Sequence, residues 1–414
     1  MKTTPVKGTN DYLPEEVVLR DYLQNSILET YQSYGFQRIT TPILEDIENL
    51  DKSEGGENLN LIFKVLKRGD KLTKALDNSQ YDKLSDLGMR YDLTLPLSRY
   101  FANNRAKLVT PFKCIQMDKV YRAERPQKGR LREFVQCDID ILGSSSVNCE
   151  IELINTTTKA LFNIGINNIK VKINDRSLLN TVLEKTGFEE KDLASVCITL
   201  DKLDKVGVDG VKAELADKGF SSEAIDNLSS LLAKQPVTLD AVKEICGEDN
   251  EAAARLENII ASVKELSEGA FDIVYDITLV RGQGYYTGTV FEVESTEFRG
   301  AVAGGGRYDN LIGKFINEKI PAVGFSIGFE RIFSILTDNG FTIPDSKKRV
   351  ALIYDADSFT EANKKADELR KEYNVVMYER PKKNLGKFID KLEGQGCNGF
   401  YTFNQSEEIK WFEA

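Results

Sequence analysis

The chain of 414 residues contains no histidine. That absence removes imidazole general bases, Ser-His-Asp triads and Cys/His zinc sites, so any chemistry must run on carboxylates, arginines, lysines, tyrosines and backbone. Cysteine is sparse and scattered: Cys114, Cys137, Cys149, Cys197, Cys246 and Cys397 include no C-x-x-C pair. Small core thiols in a reduced setting fit that pattern best. No run approaches 18 apolar residues, and residues 1–20 show no apolar core followed by a small-residue cleavage site. The expectation is a cytoplasmic protein, neither secreted nor membrane-bound. Basic residues are outnumbered, 55 against 65, and the net charge of −10 excludes a nucleic-acid coat over the whole surface while allowing local basic patches. No G-x-x-x-x-G-K-[ST] run occurs, which excludes a P-loop.

What is present is enough chain for two or three domains, each able to bury its own core. Near the start, Leu19, Leu23, Ile27 and Tyr31 recur at helical spacing and Gly35 supplies a stop. The stretch "FQRITTPILE" alternates as a strand does, with Pro42 suited to a strand end or edge. From about 176 to 265 the texture is charged and helix-rich, which predicts an inserted helical subdomain. Strand signals return over 271–328. After the turn-like "DNGFTIPDSKK", the tail alternates "RVALIYD", "FTEANKKADELRKEY", "VVMYE", "LGKFIDKLEGQG" and "GFYTF", as strand, helix, strand, helix, strand. That alternation predicts a small α/β domain.

Four segments carry chemistry. In "KVYRAERPQKGRLREFVQCDIDILG" a strand ends at Arg122, a loop bears Arg125, Lys128, Arg130 and Arg132, and a second strand starts near Phe134. Phe134, Gln136, Asp138 and Asp140 share one face of that strand; Val135, Cys137, Ile139 and Ile141 share the other. A hairpin with a cationic tip and acids deeper in its groove suits an anionic nucleotide plus a cationic small molecule; a solvated hairpin with scattered charges fits the period equally. "LGMRYDLTLPLSRY" is read as a strand with Arg90, Asp92 and Thr94 on a common face, where a carboxylate and a hydroxyl could hold an ammonium group; an ordinary surface strand fits the same pattern. Gly304, Gly305 and Gly306 either admit a ligand close to the backbone or make a tight turn or bulge. "PAVGFSIGFERIFSIL" reads as strand, glycine, helix, with Ile332, Phe333 and Leu336 on the buried stripe. Arg331 in the first turn makes an anion site, or is an ordinary surface arginine. Ahead of all these in interest is "LVRGQGYYTGTVFE", a glycine-loosened turn with one arginine, Arg281, and two tyrosines entering an alternating strand.

Taken in order, these pieces resemble the signature set of class II aminoacyl-tRNA synthetases, and "VRGQGYYTG" with "GGGRYDNLIG" resembles the two peptides peculiar to the histidyl-tRNA synthetase family. "GFQRITTPILE" is similar to the class's dimer-interface motif ending in Pro42, the Arg122-to-Gly143 hairpin to its ATP-binding motif, and "GFSIGFERI" to its third motif. The resemblance implies an α+β fold, an antiparallel sheet flanked by helices. It implies a catalytic domain over 1–340 with the 176–265 helical insertion, and a small α/β anticodon-binding-like domain over 347–414. It implies ATP-dependent attachment of histidine to tRNA(His) through a histidyl-adenylate, by a homodimer, with Mg²⁺ accompanying ATP and its ligands unknown. By the same resemblance Asp92, Thr94 and Gln136 hold the α-amino group, Asp140 and Tyr286 the imidazole, and Tyr285, Gly304 and Gly305 line that pocket. Arg122 and Arg281 flank the α-phosphate as catalytic cations. Glu124, Arg130 and Arg331 belong to the ATP site, where Phe134 stacks on adenine.

The sequence keeps a rival open: the synthetase-like regulatory subunit of ATP phosphoribosyltransferase, which shares the fold but loses catalytic arginines. Arg122, Arg281 and Arg331 are all retained here. A chain free of histidine also frees its own synthesis from the histidine pool, whether that composition is natural or engineered.

Overall fold

The computed structural model describes residues 1–51, 58–126, 130–234, 236–280, 285–344 and 346–412. The chain divides into two compact units, one of Met1–Tyr12 with Arg20–Gly340, the other of Leu13–Leu19 with Phe341–Ala414.

The first unit is built on an eight-stranded sheet: β1 (Gln37–Arg38), β2 (Phe112–Tyr121), β3 (Glu133–Leu142), β4 (Ile169–Asp175), β5 (Asp272–Tyr275), β6 (Thr289–Ser295), β7 (Phe298–Arg307) and β8 (Ala322–Gly328). Their spatial order is β1-β2-β3-β8-β7-β6-β4-β5. The centre is antiparallel throughout, and only the two outermost pairs, β1 with β2 and β4 with β5, are parallel. Period two puts Val135, Cys137, Ile139 and Ile141 on the buried side of β3, all 6% exposed or less. That apolar face fixes the strand's register, because a slip of one residue would turn it to the other side.

Helices cover the sheet where the sequence supplies an apolar stripe. Pro14–Ser33 buries Leu23, Ile27 and Tyr31, and Gly35, at φ +82°, takes the left-handed conformation that ends the segment. Phe329–Asp338 buries Ile332, Phe333 and Leu336. Between Arg176 and Ser267 the described residues form helices, several with side-chain caps: Asp175, Ser221, Thr238 and Asn250 each accept N–H groups of the turn they precede.

One expectation is overturned. The "LGMRYDLTLPLSRY" stretch is not a continuous strand: the strand Ser85–Met89 stops short of Arg90, and Thr94 opens the helix Thr94–Asn104. Arg90, Asp92 and Thr94 therefore do not share a strand face. Asp92 accepts the N–H of Leu95 at 3.1 Å, and Pro96 sits in the first turn, where a missing N–H costs nothing. Arg90 turns fully inward, bonding the carbonyls of Thr41 (2.7 Å) and Lys119 (2.9 Å) and pairing with Asp118 (2.8 Å). It is a structural staple, not a ligand group.

In the second unit the strands Asn374–Glu379, Arg349–Tyr354 and Gly399–Thr402 pair in parallel in that order, and Lys410–Trp411 adds an antiparallel edge. Alternate residues of the central strand feed two cores, Val350 and Leu352 on one side, Ala351 and Ile353 on the other. Both faces of this small sheet are thus covered, as parallel pairing requires. Among the described residues no helix is long and apolar enough to cross a membrane.

Arg307, at the end of β7, clamps Glu150 of the helix Asn148–Asn163 with two bonds of 2.6 and 2.7 Å and also reaches the carbonyls of Ser144 and Ser146. Glu150 is 1% exposed. Removing the cation strands a buried carboxylate. Arg307→Leu is expected to cost about 3–5 kcal/mol of stability, read as a lower urea midpoint for unfolding.

Candidate active site

The polar face of β3 opens into a cavity of about 320 Å³, and every member of that face, Phe134, Gln136, Asp138 and Asp140, lines it. The antiparallel partner β8 contributes Gly324 opposite Asp140, Ser326 opposite Asp138 and Gly328 opposite Gln136. Gly304 lies opposite Ser326 on the next strand, β7. From the helix start come Asp92 and Thr94; from the end of the β2–β3 hairpin come Arg122, Glu124 and Arg130; Arg331 enters from the first turn of Phe329–Asp338. Tyr285 and Tyr286 close the remaining side.

Glycine is required in this floor for space. A Cβ on Gly324 would fall on the Asp140 carboxylate, and one on Gly306 would meet the Tyr286 ring at 2.8 Å. Gly305 faces the other way: its Cβ would strike the backbone of β8 and the Phe291 ring, so only its main chain borders the cavity. The triple glycine is neither a turn nor a bulge at these positions but a flat stretch of strand, paired residue for residue with β8.

One end of the cavity is acidic. Asp92, Asp138 and Asp140 are each 5% exposed or less. Burial raises all three above the usual carboxylate range: Asp92 to about 6, Asp140 to about 7, and Asp138 well up, with Asp140 adding like-charge repulsion there. Tyr308 donates to Asp140 Oδ1 at 2.6 Å. Asp140 Oδ2, Asp92 Oδ2 and Gln136 Oε1 are buried acceptors without a hydrogen-bond partner among the described residues. Unsatisfied buried acceptors are costly, and three at one cavity wall describe a site that expects a donor-rich, cationic ligand. Thr94 and Tyr285 both border this end, and the Tyr285 ring packs edge-on against Tyr286 at 4.9 Å and Tyr308 at 5.9 Å, giving the acids an aromatic surround.

The opposite end is cationic. Arg122 anchors its Nε on the Tyr91 carbonyl at 3.0 Å and lies 5.0 Å over the Phe134 ring, a cation–π contact that fixes its plane. Arg130 pairs with Glu124 at 3.4 Å, and Arg331 bonds the Ala301 carbonyl. Glu330, which also borders the cavity, is held by Arg20 (2.7 and 2.8 Å), the Tyr12 hydroxyl (3.2 Å) and the Val135 N–H (3.2 Å). Its charge is therefore neutralised by Arg20 and does not oppose the three arginines. Among the described residues no group of three acidic or thiol side chains is disposed to hold a metal ion.

The cavity gathers Asp92, Thr94, Arg122, Glu124, Arg130, Phe134, Gln136, Asp140, Tyr285, Tyr286, Gly304, Gly305 and Arg331. Arg281, with Gly282, Gln283 and Gly284, lies outside the described residues, as does Lys128. Tyr308, Ser326 and Gly324 also line the cavity, though no sequence pattern singles them out individually, and Asp138 lines it as one of the acids of the hairpin groove. Asp138 was findable, since it shares the period-two face with Gln136 and Asp140. Tyr308 and Ser326 carried no signal, because their contacts are cross-strand.

The histidyl-tRNA synthetase family profile matches residues 8–332. A histidine–tRNA ligase of Leifsonia xyli is 39% identical over 96% of this chain and 94% of its own length, and one of Christiangramia forsetii is 37% identical over 89% and 85%. A crystal structure of histidyl-tRNA synthetase from Nostoc sp. PCC 7120 superposes with a TM-score of 0.79 at 28% identity, covering 97% of this chain and 91% of that one. An ATP phosphoribosyltransferase regulatory subunit/histidyl-tRNA synthetase from Bacillus halodurans superposes with 0.78 at 20% identity, covering 97% and 98%, a likeness of fold alone.

The buried acids set a pH dependence. Asp140 has a folded pKa of about 7 against a model-peptide value near 4, so the folded state binds the extra proton between those limits. Its contribution to stability is full below about pH 4 and is lost as the pH rises to about 7. Asp140→Asn keeps an oxygen for Tyr308 and has no such loss. Its thermal midpoint is expected to gain on the parent's steadily from pH 4 to 7 and to hold a constant lead above, a gap of on the order of a few kcal/mol in ligand-free protein. Parallel melting curves across that range would show the assignment wrong.

Proposed function

Because the chain belongs to the histidyl-tRNA synthetase family and is an enzyme that attaches histidine to tRNA with ATP as substrate, we propose that histidine occupies the acidic end of this cavity and ATP the arginine end. The observation that carries this division is the polarity of the single cavity: three buried carboxylates and an orphaned amide oxygen at one end, three guanidinium groups at the other. A zwitterion with an ammonium and a ring of N–H groups matches the first, and a triphosphate matches the second.

In this reading Asp92, Thr94 and Gln136 receive the α-ammonium, and Asp140 with Tyr286 receives the two imidazole nitrogens. Tyr308 supports Asp140 by donating to its other oxygen. Arg122 then holds the α-phosphate, Arg130 and Arg331 the outer phosphates, and Phe134 offers its ring to adenine, with Glu124 beside it. The histidine carboxylate oxygen attacks the α-phosphorus, the bond to pyrophosphate breaks, and a histidyl-adenylate forms. Negative charge accumulates on the oxygens of the five-coordinate phosphorus, where Arg122, and Arg281 by resemblance, lower the barrier electrostatically. A terminal ribose hydroxyl of tRNA then attacks the acyl carbon, its proton passing to an adenylate phosphate oxygen as AMP leaves. Neither step requires a protein base, in keeping with a chain without histidine; positioning and charge compensation suffice.

Mg²⁺ is proposed to arrive on the ATP phosphates. Glu330 is already committed to Arg20, Tyr12 and the Val135 N–H, so it is not assigned as a ligand of that ion. The partner tRNA is taken as tRNA(His). Residues 1–340, with the 176–265 helical insertion, are proposed as the catalytic domain and 347–414 as the anticodon-binding domain, where Trp411 is 43% exposed with Lys348 over its ring at 4.7 Å. A homodimer is proposed through the small sheet of Leu44–Asp46, Lys64–Leu66 and Ser85–Met89, whose Leu44, Leu66 and Leu87 are exposed. A cytoplasmic location accompanies this reading. The regulatory-subunit alternative is the weaker one, since its likeness stands at 20% identity while named ligases reach 37–39%.

Histidine-dependent pyrophosphate–ATP exchange tests the proposal. Arg122→Ala and Arg281→Ala are each expected to lower the exchange rate on the order of 10²–10³-fold while the calorimetric affinity for histidine stays nearly intact. Exchange near the parent rate in both variants would remove the arginine assignment, and no exchange in the parent would remove the enzyme reading of this cavity.

A further inference from the structure

The Gln136 side chain has only one useful orientation if it is to accept from an ammonium group, and its neighbours set that orientation. Its Nε2 donates to Ser326 Oγ at 3.2 Å and approaches Asp138 Oδ1 at 3.5 Å, while its Oε1 is buried without a partner among the described residues and borders the cavity. Asp138 and Ser326 face each other directly across the two strands, so both acceptors stand on the same side of the amide. The amide N–H group therefore points at two oxygens, Ser326 Oγ and Asp138 Oδ1, and the amide oxygen is left to the cavity. Reversing the amide would withdraw its N–H group from Ser326 and Asp138 and turn it toward the cavity, where a cation would be repelled.

We propose that Asp138 and Ser326 are positioning residues that lock the Gln136 amide with its oxygen toward the substrate's α-ammonium group, making recognition of that group depend on the pair that orients the amide as well as on the amide itself. The proposal rests on the placement of histidine at the acidic end of the cavity. The pair occupies adjacent strands in direct register, Asp138 opposite Ser326, so the lock is built into the sheet and does not depend on a loop.

A purely structural role is distinguishable by sign. Asp138 is a desolvated carboxylate beside Asp140, so its removal relieves a buried like-charge contact. A residue retained only for stability would destabilise the fold when truncated; Asp138→Ala is expected to leave the thermal midpoint level or higher.

The test measures binding of histidine and of imidazolepropionic acid, its analogue without the α-ammonium, to the full-length parent, Asp138→Ala, Gln136→Ala and the double variant. Asp138→Ala is expected to weaken histidine about tenfold or more while changing imidazolepropionic acid less than about threefold. In the Gln136→Ala background the further loss on Asp138→Ala should vanish, and Ser326→Ala should show the same selective pattern at smaller size. Equal weakening of both ligands, or full additivity with Gln136→Ala, would overturn the lock and make Asp138 a direct electrostatic or structural group. Failure of the parent to bind either ligand would instead remove the placement of histidine in this cavity.

Discussion

The register of β3 against β8 is the constraint from which the rest of the site follows. With Asp140 set opposite Gly324, Asp138 opposite Ser326 and Gln136 opposite Gly328, each polar side chain meets a residue small enough to leave it room. The alternate residues, Ile139 against Phe325 and Cys137 against Ile327, are buried in the core and hold the pair in place. A shift by one residue would put carboxylates into hydrocarbon and isoleucines into the cavity, a change far larger than any single contact within the site. The core on one face of the strand therefore enforces the chemistry on the other.

That arrangement carries a cost in the ligand-free protein. Three acids at one cavity wall are each raised toward neutrality by desolvation, and two of their oxygens have no partner among the described residues. Elsewhere the same chain treats buried charge differently. Glu150 is closed by Arg307, Glu330 by Arg20, and Arg90 by carbonyls and Asp118, each with short, multiple bonds. The contrast separates structural from functional burial: where a charge supports the fold its partner is internal, and where it serves a ligand its partner is left to arrive.

The absence of histidine gains meaning in that setting. In the mechanism proposed above, guanidinium groups compensate charge at the phosphorus and a substrate oxygen takes the proton, so no step calls for imidazole. The glutamate nearest the arginines does not dilute their field, because Arg20, from the helix Pro14–Ser33, neutralises it. A residue remote in sequence thus tunes the arginine end of the cavity, and Ser326 and Asp138 hold the Gln136 amide at the acidic end.

Much of this was legible in the chain itself. The two-residue period of 134–141 assigned the polar and apolar faces correctly, because alternation in a half-buried strand is a local consequence of backbone geometry. The tail's elements were legible for a different reason: short continuous apolar runs, buried on both faces, are separated by charged helical segments. The stretch 85–98 was misread: five residues of apparent alternation around Arg90, Asp92 and Thr94 span a strand end and a helix start, and Pro96 in a first turn was the overlooked sign. What only the tertiary structure decided was partnership. That Arg90 is a staple, that Gly305 faces the core while Gly324 clears Asp140, that Tyr308 supports Asp140 and Ser326 orients Gln136 all depend on atoms brought together from distant segments. Local sequence fixes which way a side chain points from its own element, but hydrogen-bond partners across a sheet are set by register and packing, which no single segment encodes.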